Sequence, residues 1–356
     1  MGALKDILRI AGAFVGVVVG AGFASGQEIM QFFTSFGMLG LVGAIVSSAL
    51  FIFLAMALVT LGQERAAKSH KDVIMAICGP YLGALLDWLI TAFMFGVGVV
   101  MLAGGGALVE QLTGIPKHYG SIAMTVLTVL IVCLDARKVV NIIGAITPLL
   151  VLMTVVVAGA AIFQRTLDFD TLAQAAVALP RGASNWLLAA LLYVSYNIVV
   201  STPFLVIMGS QTSSRRIATW GGIAGGALLS SLILLIAGGM LAQVTELAEV
   251  AMPMLLLASK LSPALGAIMG ITIFGMILNT SVGVFYSFSV RLFTPGTAGF
   301  VWGTVVTAVL AFAGSFVGFI KLVGTVYPMF GYLGFVLMVF TIIGWWRRRD
   351  ASPAAH

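Results

Sequence analysis

A single carboxylate lies deep inside the first apolar run of the sequence. The stretch VVVGAGFASGQEIMQFF, residues 17–33, places Glu28 among glycines and amides in a run long enough to cross a bilayer. An ionisable side chain at that depth is costly, and it indicates a functional site by default. Two roles follow for Glu28, as a ligand for a substrate amine or as the carrier of a coupling proton. A third role, capping its own helix, is compatible with both.

The polar residues of this stretch coincide with a predicted interruption of the helix. Ser25 and Glu28 have the spacing of a capping box, in which the serine accepts from the amide three residues on and the glutamate reaches back. We predict that one helix ends near Val19–Gly20, that another begins at Ser25, and that residues 20–24 are extended. Each backbone group left unpaired in lipid costs on the order of several kcal/mol, so such a break requires a polar cavity.

A second polar stretch, LYVSYNIVVSTPFLV at residues 192–206, predicts another broken helix. Thr202 could cap a new helix, and Pro203 suits the first position of that helix because its missing N–H needs no partner there. Further polar side chains precede this position at Ser195, Tyr196, Asn197 and Ser201.

The rest of the chain supplies an apolar framework. Of its 356 residues, 61% are hydrophobic and 8% are charged, and the mean hydropathy is +1.14, which excludes a soluble domain. The first run is too long for a cleavable signal peptide, so we expect it to be the first span. We predict an all-α polytopic membrane protein with ten spans, near 7–36, 39–62, 80–112, 118–135, 139–164, 186–209, 217–243, 263–289, 298–319 and 322–346. An eleventh, re-entrant span at 247–260 is an alternative, but its charges favour an interfacial helix.

Basic residues orient these spans. With the amino terminus in the cytoplasm, 13 of the 18 lysine and arginine residues fall on the cytoplasmic side, and the carboxyl terminus returns there. We therefore expect a multi-pass protein of the bacterial cytoplasmic (inner) membrane with the lipid bilayer as its surroundings. The net charge of +6 needs no nucleic-acid partner to explain it. Neither cysteine nor histidine spacing suggests a disulfide framework or a metal site.

The two predicted breaks occupy matching positions in the chain. Spans one and six begin two five-span halves, near 7–164 and 186–346, that run in opposite directions. Interrupted helices at matching positions of two such halves indicate the binding site of an inverted-repeat transporter. Carbonyls at the end of one half-helix can bind a cation, and amides at the start of the next can bind an anion.

The first stretch resembles a known family. GVVVGAGFASGQEIMQFF, residues 16–33, is similar to the first span of the YkvI-like bacterial membrane proteins, and the resemblance extends over most of the chain. These proteins are grouped with the amino acid–polyamine–organocation superfamily, whose architecture is the LeuT fold. The resemblance implies a 5+5 inverted repeat with helices 1 and 6 broken.

The LeuT-like pattern also implies a sodium site. Backbone carbonyls before a V-G-x-G break bind sodium in such transporters, which here means those of Gly16 and Val19. The span-eight motif LNTSVGVFYSF, residues 278–288, matches at Thr280 and Ser281 as hydroxyl ligands, with the carbonyl of Ile277 completing the set. Back-bonding of both hydroxyls to their own helix is the alternative.

Two departures from that pattern limit what it implies. Phe23 replaces the asparagine of a second sodium site, so we expect that site to be absent, and Gly26 stands where the outer-gate arginine would be. Glu28 and Asp87 are candidates for gating or coupling. Phe204 is a further candidate for an aromatic wall. The candidate substrate-binding residues are Gly20, Ala21, Gly22, Phe23, Ser25, Gln27, Glu28, Phe93, Tyr196, Asn197, Ser201 and Thr202.

Together these features predict a secondary transporter, not an enzyme, for a small polar organic solute. An amino acid or related amine would move by alternating access, driven by sodium that stabilises the outward-open form. A proton-coupled permease using Glu28 or Asp87 is one alternative, and a non-transporting amino-acid sensor related to germinant receptor subunits is another. No hydrolase or metalloprotease motif appears in the sequence. The sequence does not identify the substrate, the direction of transport or the oligomeric state.

Overall fold

Every regular element of the described chain is a helix. The computed structural model describes residues 2–65, 75, 78–144, 146–164 and 169–351. Its helices are α1 (Gly2–Val18), α2 (Ala21–Ser25), α3 (Gln27–Phe32), α4 (Gly37–Arg65), α5 (Pro80–Thr113), α6 (Lys117–Gly144), α7 (Ile146–Phe163), α8 (Phe169–Ala176), α9 (Trp186–Ser210), α10 (Arg215–Ala242), α11 (Pro253–Leu261), α12 (Pro263–Leu292), α13 (Ala298–Ser315) and α14 (Phe319–Ala351). Short 3₁₀ turns lie at Thr34–Phe36 and Val244–Glu246.

Long apolar helices confirm the polytopic prediction. Eight segments of the described chain are long and apolar enough to cross a membrane, and the 17-residue segment Thr147–Phe163 falls just short of that length. The first traverse is made jointly by α1, α2 and α3. We call the side on which α1 begins the amino-terminal face, and the other side the far face.

One connection differs from the sequence prediction and another agrees with it. The fourth span was predicted to end at 135, but α6 continues through 136–138 to Gly144, so the basic residues there do not end the helix. The long connection 244–262 contains α11, whose nine residues are too few to cross a bilayer, in agreement with the interfacial helix favoured above.

The break predicted in the sixth span is wrong. Helix α9 runs without interruption from Trp186 to Ser210, with Pro203 inside it. Pro203 offers no N–H to the carbonyl of Val199, but the neighbouring hydroxyls do not cap a new helix. Ser201 donates to the carbonyl of Asn197 (2.8 Å) and Thr202 to that of Ile198 (2.6 Å), each four residues back. This back-bonding keeps the helix continuous.

Glycines let α10 approach α4 closely. A Cβ at Gly222 would lie 2.5 Å from the Cα of Met56, and one at Gly226 would lie 2.5 Å from the Cα of Ile52. Contact of backbones through small residues is how membrane helices pack without a hydrophobic driving force. These contacts fix α10 on α4.

The helices form two groups, and the broken first helix lies between them. The first group, here called the bundle, contains α1, α4, α9 and α10, in which α9 and α10 each pack on α1 and α4. The second group, here called the scaffold, contains α5, α6, α12 and α13. Segment α2 packs on α5 and α12 of the scaffold, whereas α3 packs on α9 and α10 of the bundle and on α14. The interrupted segment therefore contacts both groups.

Candidate functional site

The first helix is interrupted at two glycines. At Gly20 the backbone is extended (φ −89°, ψ −166°), and its amide donates to the carbonyl of Val18 (2.8 Å) rather than to that of Gly16. The break at Val19–Gly20 is thus where the sequence placed it. The restart is not, because helix resumes at Ala21 rather than Ser25, and residues 21–24 are helical rather than extended.

The predicted capping box does not form. Gly26 turns the chain in the left-handed region (φ +82°), a conformation that glycine adopts without strain, and α3 begins after it. Ser25 donates to the carbonyl of Gly22 (2.9 Å) and accepts from the amide of Gln27 (3.2 Å). Glu28 caps nothing, so its carboxylate is directed to other elements.

The carboxylate of Glu28 lies among tyrosines of distant helices. It accepts a hydrogen bond from the hydroxyl of Tyr196 on α9 (2.8 Å) and interacts with the hydroxyl of Tyr327 on α14. The side chain is only 5% exposed, and no lysine, arginine or histidine of the described chain pairs with it. It also lies directly over Gly22, where any Cβ would overlap it. Glu28 is therefore a buried carboxylate held by neutral donors.

Aromatic rings pack around the two tyrosines that contact this carboxylate. Tyr196 and Tyr327 stack with centroids 5.0 Å apart and planes within 15°. Phe93 on α5 lies 6.4 Å from each of them, and Phe32 on α3 lies 5.7 Å from Tyr196. The rings thus come from α3, α5, α9 and α14, which places them at the junction of bundle and scaffold.

Sequence reasoning found part of this shell. Phe93 and Tyr196 were predicted and lie in it, whereas Tyr327 and Phe32 were not. The signal for Tyr327 was its position before Pro328 inside a span, the same kind of polar–proline pairing that drew attention to Thr202. Phe204, expected as a possible wall, is 53% exposed and lies outside the cluster.

The other predicted α9 residues are buried beside the cluster. Asn197 donates from its amide to the carbonyl of Tyr193 (2.9 Å), and Ser195 donates to the carbonyl of Gly331 on α14 (2.6 Å). With Ser201 and Thr202 back-bonded as described above, these groups satisfy the helix and its contact with α14. None of these hydrogen bonds involves Glu28.

Of the two hydroxyls predicted on α12, that of Thr280 lies beside the break and that of Ser281 pairs with another helix. The Oγ1 of Thr280 lies 3.5 Å from the Cβ position of Gly20. The Oγ of Ser281, fully buried, is 2.9 Å from the Oγ1 of Thr128 on α6. The carbonyl of Gly16 is without its helical partner, because the amide of Gly20 bonds to Val18, and the hydroxyl of Thr280 lies next to Gly20.

The side-chain amides of two glutamines, Gln27 and Gln31, bond α3 to neighbouring segments on its far-face side. The side chain of Gln27, oriented as its surroundings require, donates to the carbonyls of Val250 (3.1 Å) and Ala251 (3.2 Å) and accepts from Gln31 (2.8 Å). Gln31 also donates to the carbonyl of Ile320 at the start of α14 (2.8 Å). We call this pair of glutamines the amide latch. It joins α3 to the segment before α11 and to α14.

A cavity of about 590 Å³ lies above the latch on the far face. Its walls carry both signs of charge, and Gln31 forms part of its floor. Glu28 lies one turn earlier on α3 than Gln31 and is not among the residues that line this cavity. The charged and amide residues of the wall are Gln31, Glu110, Lys117, Arg181, Glu249 and Lys321.

Opening of the amide latch is expected to expose residue 28 to the far-face cavity. In a variant with Cys78 and Cys133 replaced by serine, a thiol introduced by Glu28→Cys should react slowly with a membrane-impermeant methanethiosulfonate. Adding Gln31→Ala removes both the bond to Ile320 and the support of Gln27, and should raise that rate by about tenfold or more. Thr113→Ala, which removes an exposed hydroxyl on the same face, is the matched control. Equal rates in all three backgrounds would show that the glutamines do not shield residue 28 from the far face.

The second predicted gating carboxylate has a structural partner. Asp87 on α5 forms an ion pair with Arg291 on α12 (3.0 Å), and Arg291 also donates to the hydroxyl of Thr91 (2.8 Å). Both helices belong to the scaffold, so the pair links neighbours within one group. It does not join the bundle to the scaffold.

The chain is similar to known proteins both in sequence and in fold. No family model matches the chain. It is 27% identical over 328 residues to the uncharacterized membrane protein YkvI of Bacillus subtilis, covering 91% of this chain and 92% of that protein. It is 24% identical to the uncharacterized protein YyaD of the same organism, covering 92% and 94%. The chain resembles YkvI along nearly its whole length. The resemblance predicted from residues 16–33 is thereby confirmed.

Solved structures show the same fold at low sequence identity. MhsT in complex with L-phenylalanine aligns with a TM-score of 0.62 at 16% identity, covering 96% of this chain and 89% of MhsT. A manganese transporter of Eremococcus coleocola aligns with a TM-score of 0.65 at 14% identity, covering 96% and 79%. The inward-facing conformation of Mhp1 aligns with a TM-score of 0.56 at 14% identity, covering 92% and 73%. These likenesses confirm the LeuT-like fold.

Proposed function

We propose that the chain is a secondary active transporter for a small polar organic solute with an amino group, either an amino acid or a related amine. The observation that carries the proposal is the buried carboxylate of Glu28 at a broken helix between bundle and scaffold. A carboxylate without a basic partner suits an ammonium group. Broken helices at the interface of two helix groups are where LeuT-fold transporters bind their substrates. The fold neighbours support transport rather than enzyme chemistry.

Alternating access would be a movement of the bundle against the scaffold. Helix α3 packs on the bundle, whereas α2 packs on the scaffold. A movement of one group against the other would therefore change the surroundings of Glu28. The amide latch would close the far face, which we propose to be the outer face, and the amino-terminal face would be cytoplasmic. That orientation rests on the distribution of lysine and arginine in a bacterial inner membrane.

Sodium is the proposed coupling ion. The residues that would hold it are Gly16, Val19 and Ile277 through their carbonyls and Thr280 and Ser281 through their hydroxyls. The donor set fits, because all five are oxygen ligands suited to a hard cation and Thr280 lies beside the broken end of α1. Ser281 is bonded to Thr128, but a hydroxyl with two lone pairs can still ligate an ion. Bound there, the ion would neutralise carbonyl charge at the helix end.

The manganese named for one fold neighbour is not carried over to this chain. Within the described ranges, no group of three or more His, Cys, Asp or Glu side chains is placed to hold a metal ion. The five proposed ligands are neutral carbonyl and hydroxyl oxygens with no carboxylate among them, and such a set suits the single charge of sodium better than a divalent ion.

Uptake into proteoliposomes tests this function. Purified protein should accumulate radiolabelled phenethylamine or phenylalanine when an inward sodium gradient is imposed, and less when potassium replaces sodium. Protein-free liposomes provide the background. A sodium-independent flux driven by an inward proton gradient would favour the proton-coupled alternative. The lack of a basic partner for Glu28 among the described residues supports that alternative. Binding of either compound without flux would instead identify a sensor.

A further inference from the structure

The Glu28 carboxylate already places a buried acidic group at the interrupted first helix. It lies directly over Gly22, in the segment that follows the break at Gly20. A substrate carboxylate bound beside it would bring two like charges together, and like charges at short separation disfavour each other. The site therefore disfavours a ligand with an anionic group.

The surroundings of Glu28 supply no positive charge of their own. Tyr196 and Tyr327 present neutral hydroxyls, and among the described residues the carboxylate has no ion-pair partner. Lys117 and Arg181 line the far-face cavity, whose wall does not include Glu28. A ligand with one positive charge would complete the site.

The rings around the carboxylate also favour a cation. Four rings form one cluster, with contacting centroids 5.0–6.4 Å apart: Tyr196, Tyr327, Phe93 and Phe32. A cation near the face of an aromatic ring is attracted by the electron density of that ring, more strongly when it is desolvated. Apolar ring surface would at the same time cover the hydrocarbon part of an amine.

We propose that the substrate is a small monoamine, or a similar organic cation with one positive charge and no carboxylate, whose ammonium binds Glu28. This inference rests on the proposed transport function and narrows its substrate class. The ammonium replaces the hydroxyls of Tyr196 and Tyr327 as hydrogen-bond donor to the carboxylate. Because those tyrosines belong to α9 and α14, ligand binding releases contacts that join α3 to both helices.

Matched pairs of amines and amino acids test the inference by titration calorimetry on the detergent-purified full chain in sodium chloride. The pairs are phenethylamine with phenylalanine, tyramine with tyrosine, and isobutylamine with valine, and within each pair only the carboxylate differs. We expect at least one amine to bind about tenfold or more tightly than its amino acid. Glu28→Gln should weaken that amine about 30-fold or more. Glu110→Gln, which removes a carboxylate of the far-face cavity, should leave its affinity unchanged.

The outcomes separate this inference from the proposed function. An amino acid that binds as tightly as its amine overturns the inference and leaves amino-acid transport standing. Amine binding that survives Glu28→Gln overturns it as well, since the carboxylate would not be the ligand. No binding by any amine to cooperatively folded protein also overturns it, while uptake of phenylalanine in the liposome assay would still uphold transport.

Discussion

Gly22→Ala is expected to abolish high-affinity ligand binding although it leaves every ligating residue in place. The added methyl would overlap the carboxylate of Glu28, so that side chain must leave its position between Gly22 and Tyr196. A displaced carboxylate loses the hydrogen bond from Tyr196, and hydrogen bonds to charged groups contribute about 1.5–3 kcal/mol. We expect ligand affinity to fall by about 30-fold, close to the effect of Glu28→Gln.

A glycine of the same traverse gives the matched control. Gly12 lies in α1, and a Cβ there would meet no atom within 4 Å. Gly12→Ala adds the same methyl and the same helix propensity, so it should leave ligand affinity within experimental error. Calorimetry with phenethylamine on the two variants and the parent makes the comparison. If Gly22→Ala bound the amine as the parent does, the position of Glu28 over Gly22 would have no role in recognition.

The sequence predicted the break and its carboxylate because both signals are local. Glycines at 20 and 26, and Glu28 inside an apolar run, are readable without knowing any partner. The capping box failed for a local reason too. Gly26 between Ser25 and Glu28 turns the chain in the left-handed region, so the two side chains never share one helix start.

Partners from other helices could not be predicted in the same way. Tyr196 and Tyr327 lie far from Glu28 in sequence, and their hydroxyls meet its carboxylate only because α9 and α14 pack together beside α3. The latch between Gln27, Gln31 and Ile320 has the same origin. Single residues of the site were thus visible in the sequence, but their assembly depends on tertiary packing.

The sixth span illustrates how an ambiguous signal was misread. A proline preceded by Ser201 and Thr202 fits both a new helix start and a helix interior with back-bonded hydroxyls. Periodicity cannot distinguish the two, because the alternative acceptors are the helix's own carbonyls. In the structure both hydroxyls donate to those carbonyls, and α9 is continuous.

Sodium is expected to stabilise the folded protein, and Thr280→Ala is expected to remove that effect. An ion that binds only the folded state raises the free energy of unfolding by RT ln(1 + [L]/Kd), about 1.4 kcal/mol when sodium is tenfold above its Kd. Loss of the Thr280 hydroxyl beside Gly20 removes one of the five proposed oxygen ligands, and a hard cation binds weakly to an incomplete set. The unfolding temperature in sodium chloride minus that in potassium chloride, at equal ionic strength, measures the effect.

Thr272→Ala is the matched control, because it removes a back-bonded hydroxyl from the same helix without removing a proposed ion ligand. Thr272 lies earlier on the same helix, is fully buried, and donates to the carbonyl of Ile268 (2.7 Å). Its loss should lower the unfolding temperature in both salts by the same amount and preserve the sodium-specific difference. Thr280→Ala should instead abolish that difference. A sodium effect that persisted in Thr280→Ala would refute the proposed ion site. Equal stability of the parent in both salts would point to Glu28 as the coupling group, because that carboxylate could then move a proton in place of the ion.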